Sequence, residues 1–496
     1  MICVSGHLVL CRYLAPEPEG CRDQTRLRNI IGDLMPERTI LTSAGHDQLA
    51  KRPGRHGLLT SWLMPAVSSL MLLLLAACSE DDIRLAGERI DVLPEQVIET
   101  VDDAALSEGA GLGVLVNTTG APVVGLNAGH AGGNPRLEAP LTKAWSASIG
   151  GAGSRVTDLA VPVVGDGRVF TVAPNGIVGA FALDSGASLW TYPLEPISDD
   201  ALPGIGGGMA LTADGLAVHA GGRRLAMLSP QDGALVWSVD IDIPLRGGPT
   251  PLGDDRLAIT DLDGNMIVFT TKAGERLWVH YGITADTVLF GAPSPAHAND
   301  EIVLAGSGGE VSYFDAIEGE LLWTDSVAAL LPRTPIQNIG DVRAHPVHDG
   351  GLILVIGQSG RLVAFNARSG LPVWERAIGG LEMPWVSGKT LFVASIDGRL
   401  YALRRDDGAV RWVTALDGAL AQGVVVSEDA PRYFGPVVAG NRVYVVSDKG
   451  TLYGFNADTG VALETVSTGG PVSTAPQVAA GKMFILGSNG TLTAFE

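Results

Sequence analysis

A segment that ends in a tryptophan recurs along the chain. In residues 359–374 it reads SGRLVAFNARSGLPVW. Gly360 opens an apolar strand, a turn runs from Asn366 to Gly370, and a second strand leads to Trp374. Asn or Asp at the start of such a turn hydrogen-bonds the local backbone, and Gly at its end adopts a positive φ at low energetic cost. Each copy therefore predicts a β-hairpin.

The copies are spaced regularly. Six of them end in tryptophans that are 47, 41, 45, 51 and 38 residues apart: Trp190, Trp237, Trp278, Trp323, Trp374 and Trp412. A seventh copy, residues 450–464, carries Glu464 where a tryptophan is expected. A period near 45 residues with several short strands per copy indicates a β-propeller and not a helical solenoid. We interpret the tryptophans as large rings that fill the space between adjacent blades.

The two ends of the repeat region complement each other. The chain ends in an eighth copy, residues 490–496, that stops before its turn and its tryptophan. Residues 141–150, LTKAWSASIG, contain the tryptophan that this copy lacks, Trp145. Pairing the two segments would leave no open sheet edge. The sequence therefore predicts an all-β fold over residues 141–496: an eight-bladed β-propeller of four-stranded blades, about 44 residues each, whose last blade is closed by the N-terminal strand.

Charge and cysteine usage limit the possible functions. The net charge of −20 argues against nucleic acid as a partner, because phosphates require a basic surface. All four cysteines, Cys3, Cys11, Cys21 and Cys78, precede the repeats. The predicted propeller therefore has no disulfide, no CxxC metal pair and no CxxCH haem site.

The N-terminal region predicts export. Residues 1–50 form an unassigned leader whose length suggests that translation starts downstream of Met1. Residues 51–78 combine a basic start with an apolar run that is too short to span a membrane, as in a secretory signal peptide. Its end, Leu-Ala-Ala-Cys, resembles the lipobox of bacterial lipoproteins, which implies lipidation of Cys78. Ser79 in the next position favours the outer membrane; the alternative is an ordinary signal peptide with a chance cysteine.

Residues 79–140 are predicted to form a tether. A weak helix is predicted over residues 95–106, and the Gly-rich and Asn-rich stretch 109–135 predicts an irregular arm that lies on the propeller or is free.

Candidate catalytic and metal motifs are weak. Residues 261–265, DLDGN, resemble the start of a calcium loop, but Lys272 stands where the twelfth-position Glu belongs. His345 and His348 are three residues apart, a spacing that does not bring two imidazoles together on a strand. The chain contains no GxSxG elbow and no phosphate-binding loop. We predict no catalytic residue, no cofactor and no metal.

The hairpin pattern A-F-[ND]-x-x-[ST]-G-x-x-x-W resembles the PQQ-type propeller repeat. Two families share it: the quinoprotein dehydrogenases, and BamB, a lipoprotein of the β-barrel assembly machinery. The resemblance to BamB covers residues 75–496, including the lipobox. It implies a non-catalytic outer-membrane lipoprotein that faces the periplasm, binds BamA and the other assembly subunits, and helps to insert outer-membrane β-barrel proteins. It also implies contact with unfolded outer-membrane proteins.

The resemblance implies partner-binding residues in two loops. The Leu-x-Leu-Arg-Gly pattern of BamB is matched by residues 243–247, which include Ile243, Leu245 and Arg246. The Asp-Val-Asp pattern is matched in part, since Asp341 is followed by Arg343 in place of the second Asp. An apolar pair beside an Arg is a suitable interface anchor.

Two other functions fit the repeat. One is a PQQ-dependent dehydrogenase, against which the cysteine-free propeller and the absence of a calcium motif argue. The other is a lipoprotein propeller that binds a different envelope partner. Quinone binding would identify the first, and the proteins that co-purify with the chain would identify the second.

Overall fold

The chain folds into eight four-stranded antiparallel sheets arranged as the blades of a ring. The computed structural model describes residues 99–150, 159–173, 175–194, 207–283, 291, 293–328, 340–417 and 430–496. All of these belong to one compact unit, Arg89–Glu496. The predicted leader, the signal segment with Cys78 and the start of the tether lie outside the described residues. The predicted eight-bladed propeller is confirmed.

From blade 1 to blade 7, the first strand of each blade contacts the first strand of the next, and these strands surround a central channel. The strands of each blade, from the channel outward, are β4 (Val163–Gly165), β5 (Arg168–Val172), β6 (Ile177–Ala182) and β7 (Ser188–Pro193) in blade 1; β8 (Gly208–Thr212), β9 (Gly215–His219), β10 (Arg224–Leu228) and β11 (Leu235–Asp240) in blade 2; β12 (Thr250–Leu252), β13 (Arg256–Thr260), β14 (Met266–Thr270) and β15 (Arg276–His280) in blade 3; β16 (Ala296–Ala298), β17 (Glu301–Ala305), β18 (Glu310–Asp315) and β19 (Leu321–Ser326) in blade 4; β20 (Val347–Asp349), β21 (Leu352–Ile356), β22 (Leu362–Asn366) and β23 (Pro372–Arg376) in blade 5; β24 (Trp385–Ser387), β25 (Thr390–Ala394), β26 (Arg399–Arg404) and β27 (Val410–Ala415) in blade 6; β28 (Tyr433–Ala439), β29 (Arg442–Ser447), β30 (Thr451–Asn456) and β31 (Ala462–Ser467) in blade 7; and β32 (Gln477–Ala479), β33 (Lys482–Leu486), β34 (Thr491–Phe495) and β3 (Lys143–Ser148) in blade 8.

The N-terminal strand closes the ring as predicted. β3 pairs antiparallel with β34, with Lys143 opposite Phe495 and Ser148 opposite Thr491. Two backbone hydrogen bonds extend the ladder to the end of the chain, because Thr142 N–H donates to Glu496 O (2.8 Å) and Glu496 N–H donates to Thr142 O (2.9 Å). In blade 8 the third and fourth strands, β34 and β3, therefore come from opposite ends of the repeat region. In the other blades a turn joins these two strands.

Each hairpin tryptophan docks on the next blade. The Trp190 ring lies against Gly233 of blade 2, and its Nε1–H donates to Pro230 O (3.0 Å). The same pattern joins Trp323 to Gly370, where a Cβ would come within 2.8 Å of the ring. These turn glycines have φ of +66° to +75°, as the turn pattern predicts. The tryptophans are therefore packing groups between blades, as the sequence indicated.

One docking contact differs from the others. Among the described residues, Trp278 Nε1 has no hydrogen-bond acceptor. The equivalent acceptor, Ala316 O, instead accepts from Arg256 Nη1 (2.7 Å). The Trp278 ring still packs against Gly319.

Glu464 replaces a tryptophan where the following turn does not exist. The next blade is blade 8, whose turn is split between the chain ends. Glu464 Oε2 accepts from Leu141 N–H (3.2 Å), and Oε1 accepts from Arg442 Nη1 (2.6 Å) and Tyr444 OH (3.1 Å). A carboxylate can accept a hydrogen bond from the amide of a chain segment, which an indole donor cannot.

The propeller has two distinct ends, which follow from strand direction. We call the end with the turns between first and second strands, and between third and fourth strands, the hairpin end. The connections between blades and the turns between second and third strands lie at the opposite end, which we call the loop end. The tryptophan contacts are at the hairpin end.

Residues 99–140 lie across the hairpin end as an arm. The arm forms α1 (Asp103–Ser107), β1 (Leu115–Val116) and β2 (Asn134–Pro135), and β1 pairs parallel with β2. Its backbone hydrogen bonds reach blades 1, 2 and 4 to 8, through Ala121–Val164, Pro122–Leu211, Ala128–His297, Gly129–His348, Gly133–Val386, Pro135–Gly440 and Thr118–Ala480. The arm is thus ordered by backbone pairing with the propeller.

Within the described residues, the helix predicted over residues 95–106 is confined to Asp103–Ser107. It begins after Asp102, whose carboxylate accepts from Ala104 N–H and Ala105 N–H, and residues 99–102 before it are not helical. Residues 95–98 of the prediction lie outside the described residues. The helix covers the outer strand of blade 6, where Arg411 is buried and donates from Nη1 to Ala105 O (2.6 Å).

Alanine at Gly370 should destabilise the fold more than alanine at Gly253. Both glycines have positive φ, +70° and +73°. A Cβ at Gly370 meets the Trp323 ring, whereas a Cβ at Gly253 meets nothing within 4 Å. The shared φ strain costs about 1–2 kcal/mol, and the ring clash adds about 1–3 kcal/mol at Gly370. Urea unfolding of the two variants measures the difference, and equal midpoints would contradict tryptophan docking as the source.

Candidate functional site

The two loops that carry the predicted partner-binding residues meet at the loop end. Ile243, Leu245 and Arg246 lie between β11 and β12, and Asp341 lies between β19 and β20. Although Arg246 and Asp341 are 95 positions apart, Arg246 Nη2 donates to Asp341 Oδ2 at 2.7 Å. The structure therefore joins two of the four predicted residues directly.

The Arg246 guanidinium connects three blades. Its Nε donates to Gly291 O (3.0 Å) in the connection between blades 3 and 4, and its Nη1 donates to Ser307 Oγ (2.6 Å) in a turn of blade 4. Asp341 adds the connection between blades 4 and 5. A planar guanidinium suits this role because its donors point in fixed, diverging directions. We call Arg246, Gly291, Ser307 and Asp341 the cross-blade clamp.

The clamp is buried within the folded chain. The side chain of Arg246 is 5% exposed and that of Asp341 is 0% exposed. Leu245 is fully buried in an apolar cluster with Leu257 and Ile259, and Ile243 is half-buried. Leu245, Arg246 and Asp341 are therefore removed from water by folding itself. The sequence had suggested that a partner would bury these side chains. Direct contact of these residues with a partner stays a prediction.

The local sequence explains why the loop folds inward. Leu245 forms a β-bridge with Asp261, and Arg246 N–H donates to Thr260 O (3.0 Å). A Cβ at Gly247 would lie 2.5 Å from Thr260 Oγ1 and 2.6 Å from Pro293 O, so only glycine fits there. The Leu-Arg-Gly sequence therefore supplies a core residue, a buried cation and a close backbone approach.

Arg343 makes a second ion pair beside the clamp. Its Nη1 lies 2.9 Å from Glu382 Oε1 in the connection between blades 5 and 6, and both side chains are 14% exposed. Arg343 stands where the resembled pattern has a second Asp. Its ion pair with Glu382 extends the network of ion pairs to another blade. Sequence reasoning missed Glu382, because no motif surrounds it.

The sequence matches the family described as outer membrane protein assembly factor BamB over residues 174–414 and 418–496. This match covers more than half of the chain. The chain belongs to the BamB family.

Individual relatives agree with this assignment. The chain is 27% identical over 363 residues to outer membrane protein assembly factor BamB of Yersinia pestis, a match that covers 71% of this chain and 88% of that protein. It is 25% identical over 359 residues to the protein of the same name from Escherichia coli (strain K12), with the same shares.

Solved structures share the fold. The crystal structure of BamB from Moraxella catarrhalis has a TM-score of 0.59 at 17% identity, covering 72% of this chain and all of that one. Quinohemoprotein alcohol dehydrogenase from Comamonas testosteroni has a TM-score of 0.58 at 15% identity, covering 80% and 82%. At these identities the likeness concerns the propeller fold alone.

A cavity of about 140 Å³ occupies the central channel of this BamB-family propeller. The arm contributes His130 to its wall, and the loop end contributes Arg246, Arg343 and Glu382. Trp385 and Phe434 add apolar surface. The two arginines that line the cavity are the ones that form the ion pairs with Asp341 and Glu382.

Two buried histidines meet beside this cavity. The His130 and His345 rings lie 5.3 Å apart. His130 Nδ1 donates to Pro346 O (2.7 Å), and His345 Nδ1 accepts from Ser294 N–H (2.8 Å). Burial lowers the pKa of His130 to about 4, and burial, with His130 and Arg343 nearby, holds the pKa of His345 well below its usual range. Both rings are therefore neutral at pH 7.

The described ranges contain neither a group of metal ligands nor a membrane-spanning helix. Within those ranges, no three His, Cys, Asp or Glu side chains are grouped so that they could hold a metal ion. No helix there is long and apolar enough to cross a membrane. Asp261, which begins the calcium-like sequence, accepts from Asp263 N–H, Asn265 N–H and Asn265 Nδ2.

Removing the charge of Asp341 should destabilise the loop end strongly. Asp341→Asn leaves the buried Arg246 guanidinium without this counter-charge, which costs about 3–5 kcal/mol. The double variant Arg246→Met/Asp341→Leu should recover most of that loss, because both charges are gone. Urea midpoints of the wild-type chain, Arg246→Met, Asp341→Leu and the double variant form a double-mutant cycle. Additive effects would contradict a coupled pair.

Acid should destabilise the protein partly through His130. Its folded-state pKa is lowered from 6.5 to about 4, so the unfolded chain binds the proton more tightly. The stability that neutral His130 provides is present above pH 6.5 and is lost as the pH falls from there towards 4. His130→Gln, which retains a donor for Pro346 O, should flatten the decline of the urea midpoint in this window. An unchanged pH profile would contradict this assignment.

Proposed function

We propose that this chain is a non-catalytic scaffold of the β-barrel assembly machinery that binds the periplasmic domains of BamA and aids the insertion of outer-membrane β-barrel proteins. The observation that carries the proposal is the match to the BamB family across blades 2 to 7 and parts of blades 1 and 8. The relatives named above are outer membrane protein assembly factors, and the chain aligns with 88% of their length.

The clamp supports a positioning role at the partner-binding end. Arg246 and Asp341 hold the connections of blades 3, 4 and 5 in one arrangement, and Arg343 with Glu382 extends it to blade 6. Loops that are fixed before binding lose less conformational entropy when a partner docks. Ile243 keeps part of its surface exposed beside this clamp and is the predicted residue suited to direct contact.

We further propose that the chain is anchored by lipid at Cys78 in the outer membrane and faces the periplasm. The Leu-Ala-Ala-Cys sequence and the polar residues after it support this anchor. Residues 79–98 would then link the lipid to the arm.

Unfolded outer-membrane proteins are proposed as second partners. The outer strands of most blades expose alternate side chains, among them Leu189, Leu322 and Leu463. An extended segment can add to such an edge through main-chain hydrogen bonds. Blade 6 is the exception, because α1 covers its outer strand.

An affinity isolation from solubilised envelopes tests this function. The tagged chain should recover BamA and the other barrel-assembly subunits. Ile243→Asp should reduce that recovery at least about tenfold, because it places a charge in the apolar contact. Leu371→Asp is the matched control, since Leu371 is 67% exposed at the hairpin end, away from the site.

Three results would contradict parts of the proposal. Recovery of no assembly subunit by the wild-type chain would overturn the scaffold function. Equal recovery by Ile243→Asp would retain that function and reject Ile243 as a contact. A Cys78→Ser chain that still fractionates with the outer membrane would reject the lipid anchor.

A further inference from the structure

Four histidines meet where the arm crosses blades 4 and 5. One comes from the arm and three come from the first strands of these blades or the residues just before them. The four, which we call the histidine cluster, are His130, His297, His345 and His348. His297 N–H donates to Ala128 O (2.8 Å) and His348 N–H donates to Gly129 O (2.9 Å). The cluster thus surrounds the segment of the arm that leads to His130.

This segment, residues 127–131, forms a tight turn that we call the arm turn. The Asn127 amide closes it, because Nδ2 donates to Ala131 O (2.7 Å) and Oδ1 accepts from Ala131 N–H (3.1 Å). A Cβ at Gly129 would lie 2.9 Å from His348 O, so the turn packs directly on blade 5. His130 has a φ of +60°, which non-glycine residues rarely adopt. Strained backbone therefore places this imidazole in the channel, and such strain is typical of functional positions.

Two rings of the cluster have no acceptor for a second proton. The Tyr313 hydroxyl donates to Glu301 Oε2 (2.5 Å), so His348 Nε2 donates to the Tyr313 oxygen (3.2 Å) and His348 Nδ1 is the nitrogen that remains to be protonated. Among the described residues, His348 Nδ1 and His297 Nε2 are buried without a hydrogen-bond partner. A proton on either nitrogen would create a buried cation with an unsatisfied donor, which is unfavourable.

The other two rings are equally unsuited to a positive charge. His345 Nδ1 accepts from Ser294 N–H (2.8 Å), so a proton on this nitrogen would place two donors face to face. The His130 and His345 rings are 5.3 Å apart and would repel each other if both were charged. Burial lowers the pKa of all four rings, that of His130 to about 4. The docked arm is therefore compatible with neutral histidines only.

The charges around the cluster are of both signs. Near His348 and His297 they include carboxylates, which favour protonation, whereas the neighbour of His345 is a cation. The neighbours are Glu301 and Asp349 at His348, Asp300 and Arg256 at His297, and Arg343, paired with Glu382, at His345. Arg246, paired with Asp341, lines the same cavity as His130. The contact between His130 and His345 is therefore the part of the cluster that acid disturbs most.

Release of the arm would remove this conflict. His130 would enter water, where its pKa returns from about 4 to the usual 6.5. The released form then binds the proton more tightly, so docking is fully favoured above pH 6.5 and weakens as the pH falls towards 4. For His130 alone, the equilibrium shifts towards release roughly 30-fold between pH 7.5 and pH 5. The ladders within the blades are backbone hydrogen bonds, which do not titrate in this range.

We propose that the histidine cluster and the arm turn form an acid-sensitive latch, which releases the arm from the hairpin end while the blades stay folded. The wall of the channel cavity includes Val123, Gly125 and His130 of the arm. Release would therefore open this cavity towards the hairpin end. The latch goes beyond the proposed function and does not depend on it, because it involves only contacts within the chain.

Hydrogen exchange of the purified full-length chain at pH 7.5 and pH 5 tests the latch. Mass spectrometry gives protection factors, corrected for the intrinsic exchange rate at each pH. Peptides that contain Leu211, His297 and His348 report docking, because the amides of these residues donate to carbonyls of the arm. Their protection should fall about tenfold or more at pH 5 and return at pH 7.5. Peptides from the ladder between β13 and β14, in blade 3, should keep their protection.

A pair of variants assigns the effect to the cluster. His130→Gln/His345→Asn removes two titrating rings and retains a donor for Pro346 O and an acceptor for Ser294 N–H. Its docking protection should fall less than about threefold over the same pH range. His219→Gln is the matched control, because burial also lowers the pKa of His219 to about 4, yet this residue lies at the loop end of blade 2. This control should show the wild-type decline.

Three outcomes would overturn the latch. The first is docking protection in the wild-type chain that stays constant down to pH 5. The second is a parallel loss of protection in the docking peptides and in blade 3, which would show opening of the whole ring. The third is a double variant that is protected at pH 7.5 and declines as strongly as the wild type. If that variant is already unprotected at pH 7.5, the wild-type comparison of docking and blade-3 peptides decides.

Discussion

The contact between each hairpin tryptophan and the turn of the next blade determines how the blades fit together. The ring needs a glycine beneath it, both for the positive φ of the turn and for the space that the indole occupies, as at Gly370 and Trp323. Where the next turn is split between the chain ends, the indole has no partner. Glu464 stands there instead and binds Leu141 N–H. The repeat and its one exception thus follow from the same geometry.

Most of the propeller could be predicted because its determinants are local. The Asn-to-Gly turns define hairpins, their period defines blades, and the unmatched Trp145 identifies the strand that closes blade 8. The path of the arm could not be predicted in this way. Many of its contacts are backbone hydrogen bonds, such as Ala121 with Val164, and these leave no side-chain pattern in a Gly-rich sequence. The start of the short helix is determined by the carboxylate of Asp102, which caps it.

The residues of the candidate site were predicted from the sequence, but their burial was not. The sequence identified Arg246 and Asp341 through their resemblance to a family pattern, and the structure joins them. It did not indicate that folding buries both, because burial of a loop arginine depends on acceptors such as Gly291 O that come from another blade. Glu382 lies outside the recognised patterns. Its role depends on which loops become neighbours in the ring.

The arm also has a consequence for the order in which the protein is completed. Residues 99–140 precede every blade in the chain, yet they bond to Gly440 and Ala480 in the last two blades. The earliest described segment to be synthesised therefore obtains its full set of partners last. A chain truncated before blade 8 would lack the donor for Thr118 O, so the arm completes its set of backbone bonds only when the last blade is present.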